Sequence, residues 1–153
     1  MSVDDVRVRW CGKRQFTGWD HFGHGVVMDT PPVYGGEGTG PRPLELFLYA
    51  LAACTAMDVV SILEKKRQVF SGLEIEVKAT QREDEFPKIY TRIELVYVVT
   101  GRDVSPKAVA RAIELSEEKY CSVRGMLGPQ VEIVTTYRVE VPEQSLSEEA
   151  PDA

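Results

Sequence analysis

The chain has 153 residues, of which 43% are hydrophobic and 27% charged, a balance that suits one soluble globular domain of ordinary size. Its formal net charge of −6 repels phosphate backbones, and its only concentrated basic run is Lys65-Lys66-Arg67, so no nucleic-acid partner is expected. The N-terminal MSVDDVRVRW lacks a basic segment followed by an apolar one, so no signal peptide is expected. The apolar run around Cys54 is interrupted by Glu45 and Asp58 and is expected to fall short of a membrane span, leaving the cytoplasm as the expected location.

Residues 4–11, DDVRVRWC, alternate in polarity and predict a strand, with residues 13–18, KRQFTG, as its hairpin partner and residues 24–29, HGVVMD, as a third short strand. Residues 30–43, TPPVYGGEGTGPRP, are rich in glycine and proline and predict a loop long enough to be functional. A long helix is expected from Pro43 to about Arg67, with proline in the first turn, Glu45 near the positive end of the dipole, and Lys65, Lys66 and Arg67 near the negative end. Gly72 is expected to end the segment. Leucine, phenylalanine, methionine and valine point in most directions around this helix, so it must be covered on most sides. A domain this small hardly wraps one helix alone, and a second copy of the chain is the expected cover.

Residues 73–82 and 89–100 alternate as two half-buried strands joined by the hairpin loop EDEFPK. Ser105-Pro106 reads as N-cap and first position of a second helix, AVARAIELSEEKY. The pattern breaks near Tyr120-Cys121-Ser122, SVRGML resumes as a short helical turn, and Gly128-Pro129 stops it. Residues 131–141 form a last strand. The order βββ, long α, ββ, α, short α, β keeps strands and helices apart and predicts an α+β fold in a single domain, residues 1–141. Residues 142–153 are acidic and poor in apolar residues and are expected to be disordered.

The cysteines are Cys11, Cys54 and Cys121. An odd number without close pairs does not suit a secreted disulfide framework, and no CxxC or HxxxH spacing offers a zinc site. Taken singly, Cys54 reads as a small buried hydrophobe, and Asp58 one turn later disfavours its thiolate. Cys121 stands at the start of a helical segment, where exposed N–H groups and the dipole favour a thiolate. Two thiols remote in sequence form a reversible redox pair when they meet: one becomes a sulfenic acid and the other condenses with it. Cys11, at the end of the first strand, reads as structural.

Residues 40–67, GPRPLELFLYALAACTAMDVVSILEKKR, followed by residues 116–127, SEEKYCSVRGML, resemble the OsmC/Ohr family of osmotically inducible and organic hydroperoxide resistance proteins. The likeness rests on the GPxPxEL helix entry, the ALAAC cysteine and the EKYCS cysteine, and it spans nearly the whole chain. It implies an intertwined homodimer of α+β fold with two central helices in its core. It implies a thiol peroxidase that reduces organic hydroperoxides, with Cys54 as the peroxidatic and Cys121 as the resolving cysteine, activated by an arginine and a glutamate. It further implies a dithiol reductant of lipoyl or thioredoxin type and no metal, flavin or haem.

The family's glutamate lies ten residues before its peroxidatic cysteine. Leu44 holds that place here and Glu45 lies nine before, which marks a divergent subgroup. At 1.5 Å per residue Glu45 is about 13 Å and Arg42 about 18 Å from Cys54 along a straight helix, so neither reaches it within one helix. The partner subunit's antiparallel helix or a folded-back loop would have to bring them. Glu45 alternatively stabilises the first helical turn. Arg42 is the first candidate for the activating arginine and Arg14 the second. Arg124, three residues after Cys121, would sit near that thiol on the short helix. His21 and His24, in GWDHFGHG, are polar loop residues of which one would line a pocket.

Two functions follow. The first is an enzyme, the peroxidase just described. The second is a redox-inactive protein that holds a small apolar or electrophilic ligand at the dimer interface, a reading favoured by Leu44. RNA binding is disfavoured by the acidic charge and by the lack of a basic GxxG clamp.

Overall fold

The computed structural model of the chain describes residues 4–142. They fall into two compact units, one ending at Ala50 and one beginning at Leu51. Of the tail expected at 142–153, all but Pro142 lies outside the described residues.

The first unit holds an antiparallel sheet of β1 (Val6–Gly12), β2 (Gln15–Asp20) and β3 (Gly25–Met28) in that order. The second strand starts at Gln15 rather than at Lys13, because Gly12 at φ 118° and Lys13 at φ 45° form the hairpin turn. The register shifts between Trp10 and Gly12, which leaves Cys11 exposed in a bulge. After β3 the loop turns through a short 3₁₀ segment, Pro32–Tyr34. It closes on Asp29, whose carboxylate accepts hydrogen bonds from the backbone N–H of Thr30 at 2.8 Å and of Glu37 and Thr39 at 3.1 Å, and from Thr39 Oγ1 at 2.8 Å. Gly36 permits this closure: a Cβ there would lie 1.9 Å from the Thr30 carbonyl oxygen. Burial opposes the Asp29 charge, but those four hydrogen bonds prevail and hold its pKa at about 2. Among the described residues of this unit only Gly18, Asp29 and Gly36 are buried, and Val6, Val8 and Trp10 are exposed.

The long helix, α1 (Pro43–Lys65), begins in the first unit and continues into the second. Its first turn is closed by Glu45, which accepts from the backbone N–H of Arg42 at 2.8 Å, the reach-back half of a capping box. Its end is not set by Gly72. Arg67 takes a left-handed φ of 55°, and the Gln68 N–H reaches the Leu63 carbonyl at 3.0 Å. The most apolar 18-residue stretch of α1 has a mean hydropathy of 2.0, long and apolar enough to cross a membrane by length and composition. This corrects the expectation that the run falls short. The core helix of a soluble protein passes the same test. The residues of α1 buried within the chain are Leu51, Thr55, Val59 and Leu63, at a strict four-residue spacing that marks one face. Met57, by contrast, is 72% exposed.

In the second unit β4 (Gly72–Gln81) and β5 (Tyr90–Thr100) form the expected hairpin. Ile93, Leu95, Tyr97 and Val99 alternate along β5 and are all fully buried. The last strand, β6 (Glu132–Glu140), lies parallel to β5, with Tyr97 opposite Tyr137. A parallel neighbour requires a crossover, and helices supply it. The first is α2 (Pro106–Leu115), capped as expected by Ser105, whose hydroxyl accepts from the Ala108 N–H at 3.3 Å. The second is α3 (Ser122–Gly125). Between them, Ser116–Tyr120 is a π-helical turn rather than the continuation of α2 that the periodicity predicts. Such wide turns are frequent at functional sites, and this one delivers the chain to Cys121.

Candidate active site

Cys121 follows the π-turn directly and is the N-cap of α3. Its N–H donates to the Ser116 carbonyl at 2.8 Å, so the wide turn sets its position. Its sulfur accepts from the Arg124 N–H at 3.4 Å. The residue is 5% exposed. Burial is the main influence on this thiol and pushes its pKa up to about 11. The Arg124 and Val123 amides pull the other way, while the Cys54 thiol interacts with it and raises it further. The expectation that the helix start favours a thiolate at Cys121 is thereby corrected: α3 has only four residues, and its amides do not offset the loss of water.

Cys54, on α1, is the half-buried neighbour of Cys121, and both are free thiols. Asp58, one turn after Cys54, receives a hydrogen bond from Ser116 Oγ at 2.9 Å, and the same hydroxyl lies 3.5 Å from the Thr55 carbonyl oxygen. Ser116, the first residue of the π-turn, thus ties the crossover to α1.

Around the thiols stand groups that the sequence reading did not single out. Glu117 of the π-turn accepts from the Thr135 hydroxyl of β6 and pairs with Arg124 at 3.6 Å. Tyr97 of β5 is fully buried. Burial pushes its hydroxyl pKa up to about 12, the neighbouring Thr55 hydroxyl lowers it, Glu117 and Cys121 raise it, and Arg124 lowers it. Tyr97 and Thr55 lie side by side without hydrogen-bond geometry, and the Thr55 hydroxyl donates to the Ala52 carbonyl at 3.0 Å. Among the described residues, Tyr97 Oη and Arg124 Nη1 are buried and have no hydrogen-bond partner. One signal for Tyr97 was available: a tyrosine on the buried face of a strand needs a partner for its hydroxyl.

The other candidates belong to the first unit. Arg42 and Glu45 pair with each other, Nη2 to Oε1 at 2.8 Å and Nε to Oε1 at 3.1 Å, and these bonds hold the Glu45 carboxyl below its ordinary range. Arg14 lies against Gly35 of the loop. His24 bonds Asp20 through Nδ1 at 2.9 Å, and His21 stacks obliquely on Phe22 with ring centres 3.8 Å apart. His21 lines a cavity of about 450 Å³ with Trp19, Phe22 and Arg7, and no cysteine lines it. In the second unit a cavity of about 330 Å³ is lined by Asp58, Ile62, Leu115 and Tyr120, and neither thiol lines it.

The sequence model of the family described as "OsmC-like protein" matches residues 36–136. The protein YhfA of Escherichia coli K12 is 45% identical over 136 residues, which cover 88% of this chain and 96% of that protein. The crystal structure of a hypothetical protein from Aquifex aeolicus VF5 is 34% identical, with a TM-score of 0.81 over 94% of this chain and all of that one. The organic hydroperoxide resistance protein OhrB of Bacillus subtilis shares the fold, with 19% identity and a TM-score of 0.62 over 90% of this chain and 98% of its own.

Proposed function

The chain belongs to the OsmC-like protein family, and on that premise we propose that it is a cysteine-based peroxidase that reduces organic hydroperoxides through a reversible Cys54–Cys121 disulfide. The observation that carries this reading is the pairing itself: two free thiols, remote in sequence, are neighbours within one unit. The likeness in fold to an organic hydroperoxide resistance protein of Bacillus subtilis supports the substrate class.

The roles follow from the surroundings of each sulfur. Cys121 is held protonated by burial, which suits the resolving partner, and Cys54 is the more exposed and suits the nucleophile. The Cys54 thiolate attacks the terminal peroxide oxygen. The O–O bond breaks, an alcohol leaves with the proton that Cys54 released, and Cys54 becomes a sulfenic acid. The Cys121 sulfur then attacks the Cys54 sulfur. The S–S bond forms, and the hydroxyl departs as water with the Cys121 proton. A dithiol of lipoyl or thioredoxin type restores both thiols by exchange.

The working protein is a homodimer in the cytoplasm, with residues 1–141 as one domain. The exposed apolar side chains of β1 and α1 support the dimer, since contiguous apolar surface is normally covered. Beside their capping role, Arg42 and Glu45 would reach a thiol pair only from the partner subunit.

Consumption of tert-butyl hydroperoxide with dihydrolipoamide as reductant tests the proposal. Wild type turns over, and Cys54→Ser does not. Equal rates for the two proteins end the peroxidase reading. The second reading, a ligand-binding protein with idle thiols, is favoured by Leu44 and by the high pKa of Cys121. It predicts tight binding of a small apolar ligand that oxidation leaves unchanged.

A further inference from the structure

The two buried polar atoms without hydrogen-bond partners among the described residues, Tyr97 Oη and Arg124 Nη1, belong to residues that neighbour Cys121, itself the neighbour of Cys54. Native interiors rarely leave such atoms unmatched, and a functional role is one of the standard reasons they do. Both atoms are donors, since guanidinium is always protonated and burial keeps the Tyr97 hydroxyl protonated. Neither atom makes a hydrogen bond within the described residues. The groups facing Tyr97 are Glu117 from the π-turn, Cys121 and Arg124 from the start of α3, and Thr55 from α1. Glu117 is engaged by Thr135 and by Arg124 Nη2, so it takes up neither the Tyr97 hydroxyl nor Arg124 Nη1.

We infer that Tyr97 Oη and Arg124 Nη1 form a two-donor site for the oxygen that leaves when Cys54 is oxidised. The inference rests on the peroxidase reading and adds to it the groups that stabilise the departing alkoxide. When the Cys54 thiolate attacks the terminal oxygen of ROOH, sulfur loses two electrons and the O–O bond breaks. The negative charge collects on the alkoxide oxygen. Both donors are buried, and hydrogen bonds to a developing anion count for most away from water. The alkoxide then takes up the proton that Cys54 released and departs as ROH. Glu117 positions Arg124 by holding one side of the guanidinium and leaving Nη1 available.

The test compares two reactions of the same sulfur in a Cys11→Ser/Cys121→Ser background, where Cys54 is the sole thiol. Oxidation by cumene hydroperoxide, followed by trapping the sulfenic acid with dimedone, needs the leaving oxygen to be stabilised. Alkylation by iodoacetamide does not. Tyr97→Phe, which removes one oxygen atom and keeps the ring, is expected to slow oxidation by about a hundredfold, the scale of losing one such donor, while alkylation keeps its rate. Arg124→Gln is expected to do the same, and Arg124→Lys to recover part of the loss. Oxidation rates unchanged in both Tyr97→Phe and Arg124→Gln overturn the donor site while leaving the peroxidase reading intact. Equal slowing of oxidation and alkylation also overturns it, because the residues would then act on the thiol or the fold. A parent protein whose Cys54 ignores the peroxide overturns both readings together.

Discussion

The thiol of Cys121, at the N-cap of α3, interacts with the thiol of Cys54 on α1, and no bond joins them. The pair is asymmetric in its surroundings. Burial lifts the Cys121 pKa to about 11, with Cys54 lifting it further. Near neutral pH the Cys121 thiol therefore stays protonated. In a Cys11→Ser/Cys54→Ser protein, iodoacetamide is expected to modify Cys121 far more slowly than it modifies a small free thiol. A rate equal to that of free thiol would contradict the assignment of Cys121 as the protonated partner. The same shift carries a stability consequence. The folded pKa lies above the ordinary 9.0, so the contribution is complete below about pH 9 and is lost as pH rises through about 11. Cys121→Ser is expected to flatten this alkaline loss in urea unfolding.

Asp29 gives the opposite sign. Its folded pKa of about 2 lies below the ordinary 3.8, so its contribution to stability is present above about pH 4 and fades as pH falls through about 2. Asp29→Asn is expected to lower the melting temperature near neutral pH and to flatten the acid limb of the profile. An unchanged acid limb would mean that the loop closing on Asp29 contributes nothing to folding.

The apolar residues left outward on β1 and α1 predict a dimer. Trp10 is 64% and Met57 72% exposed, and neither position suits an isolated soluble chain. Sedimentation is expected to return twice the mass of the chain, and Met57→Lys to shift the population toward monomer. A monomeric wild type at high concentration would refute this cover for α1.

The Arg42–Glu45 pair predicts a modest effect, since both side chains are partly exposed. Glu45→Ala is expected to cost about 0.5–1 kcal/mol through the lost cap and dipole interaction. Peroxide consumption separates this role from a chemical one: a loss of turnover much larger than the loss of stability would place Glu45 in the reaction, and a parallel small loss would confine it to the helix start.

Much of the architecture was legible because it is periodic. The alternation in β4 and β5 and the Ser105-Pro106 start of α2 are local patterns, and the folded chain bears them out. The π-turn at Ser116–Tyr120 was not, since one extra residue per turn leaves no mark in polarity. The end of α1 was misread because a non-glycine residue, Arg67, adopts the left-handed conformation that glycine usually supplies. At the candidate site, resemblance supplied Cys54 and Cys121, whereas Tyr97 and Glu117 become visible only through tertiary neighbours on other elements. The thiolate expected at Cys121 failed for the same reason. Helix position is written in the sequence, but burial is decided by the strands and helices that close over it.

The most direct measurement is mass spectrometry of the purified protein after one equivalent of cumene hydroperoxide, with remaining thiols blocked. The account predicts an intrachain Cys54–Cys121 disulfide that forms within seconds and disappears on adding a dithiol. Unmodified Cys54 and Cys121 would contradict it, and would mean that this member of the family keeps the paired thiols without their peroxide chemistry.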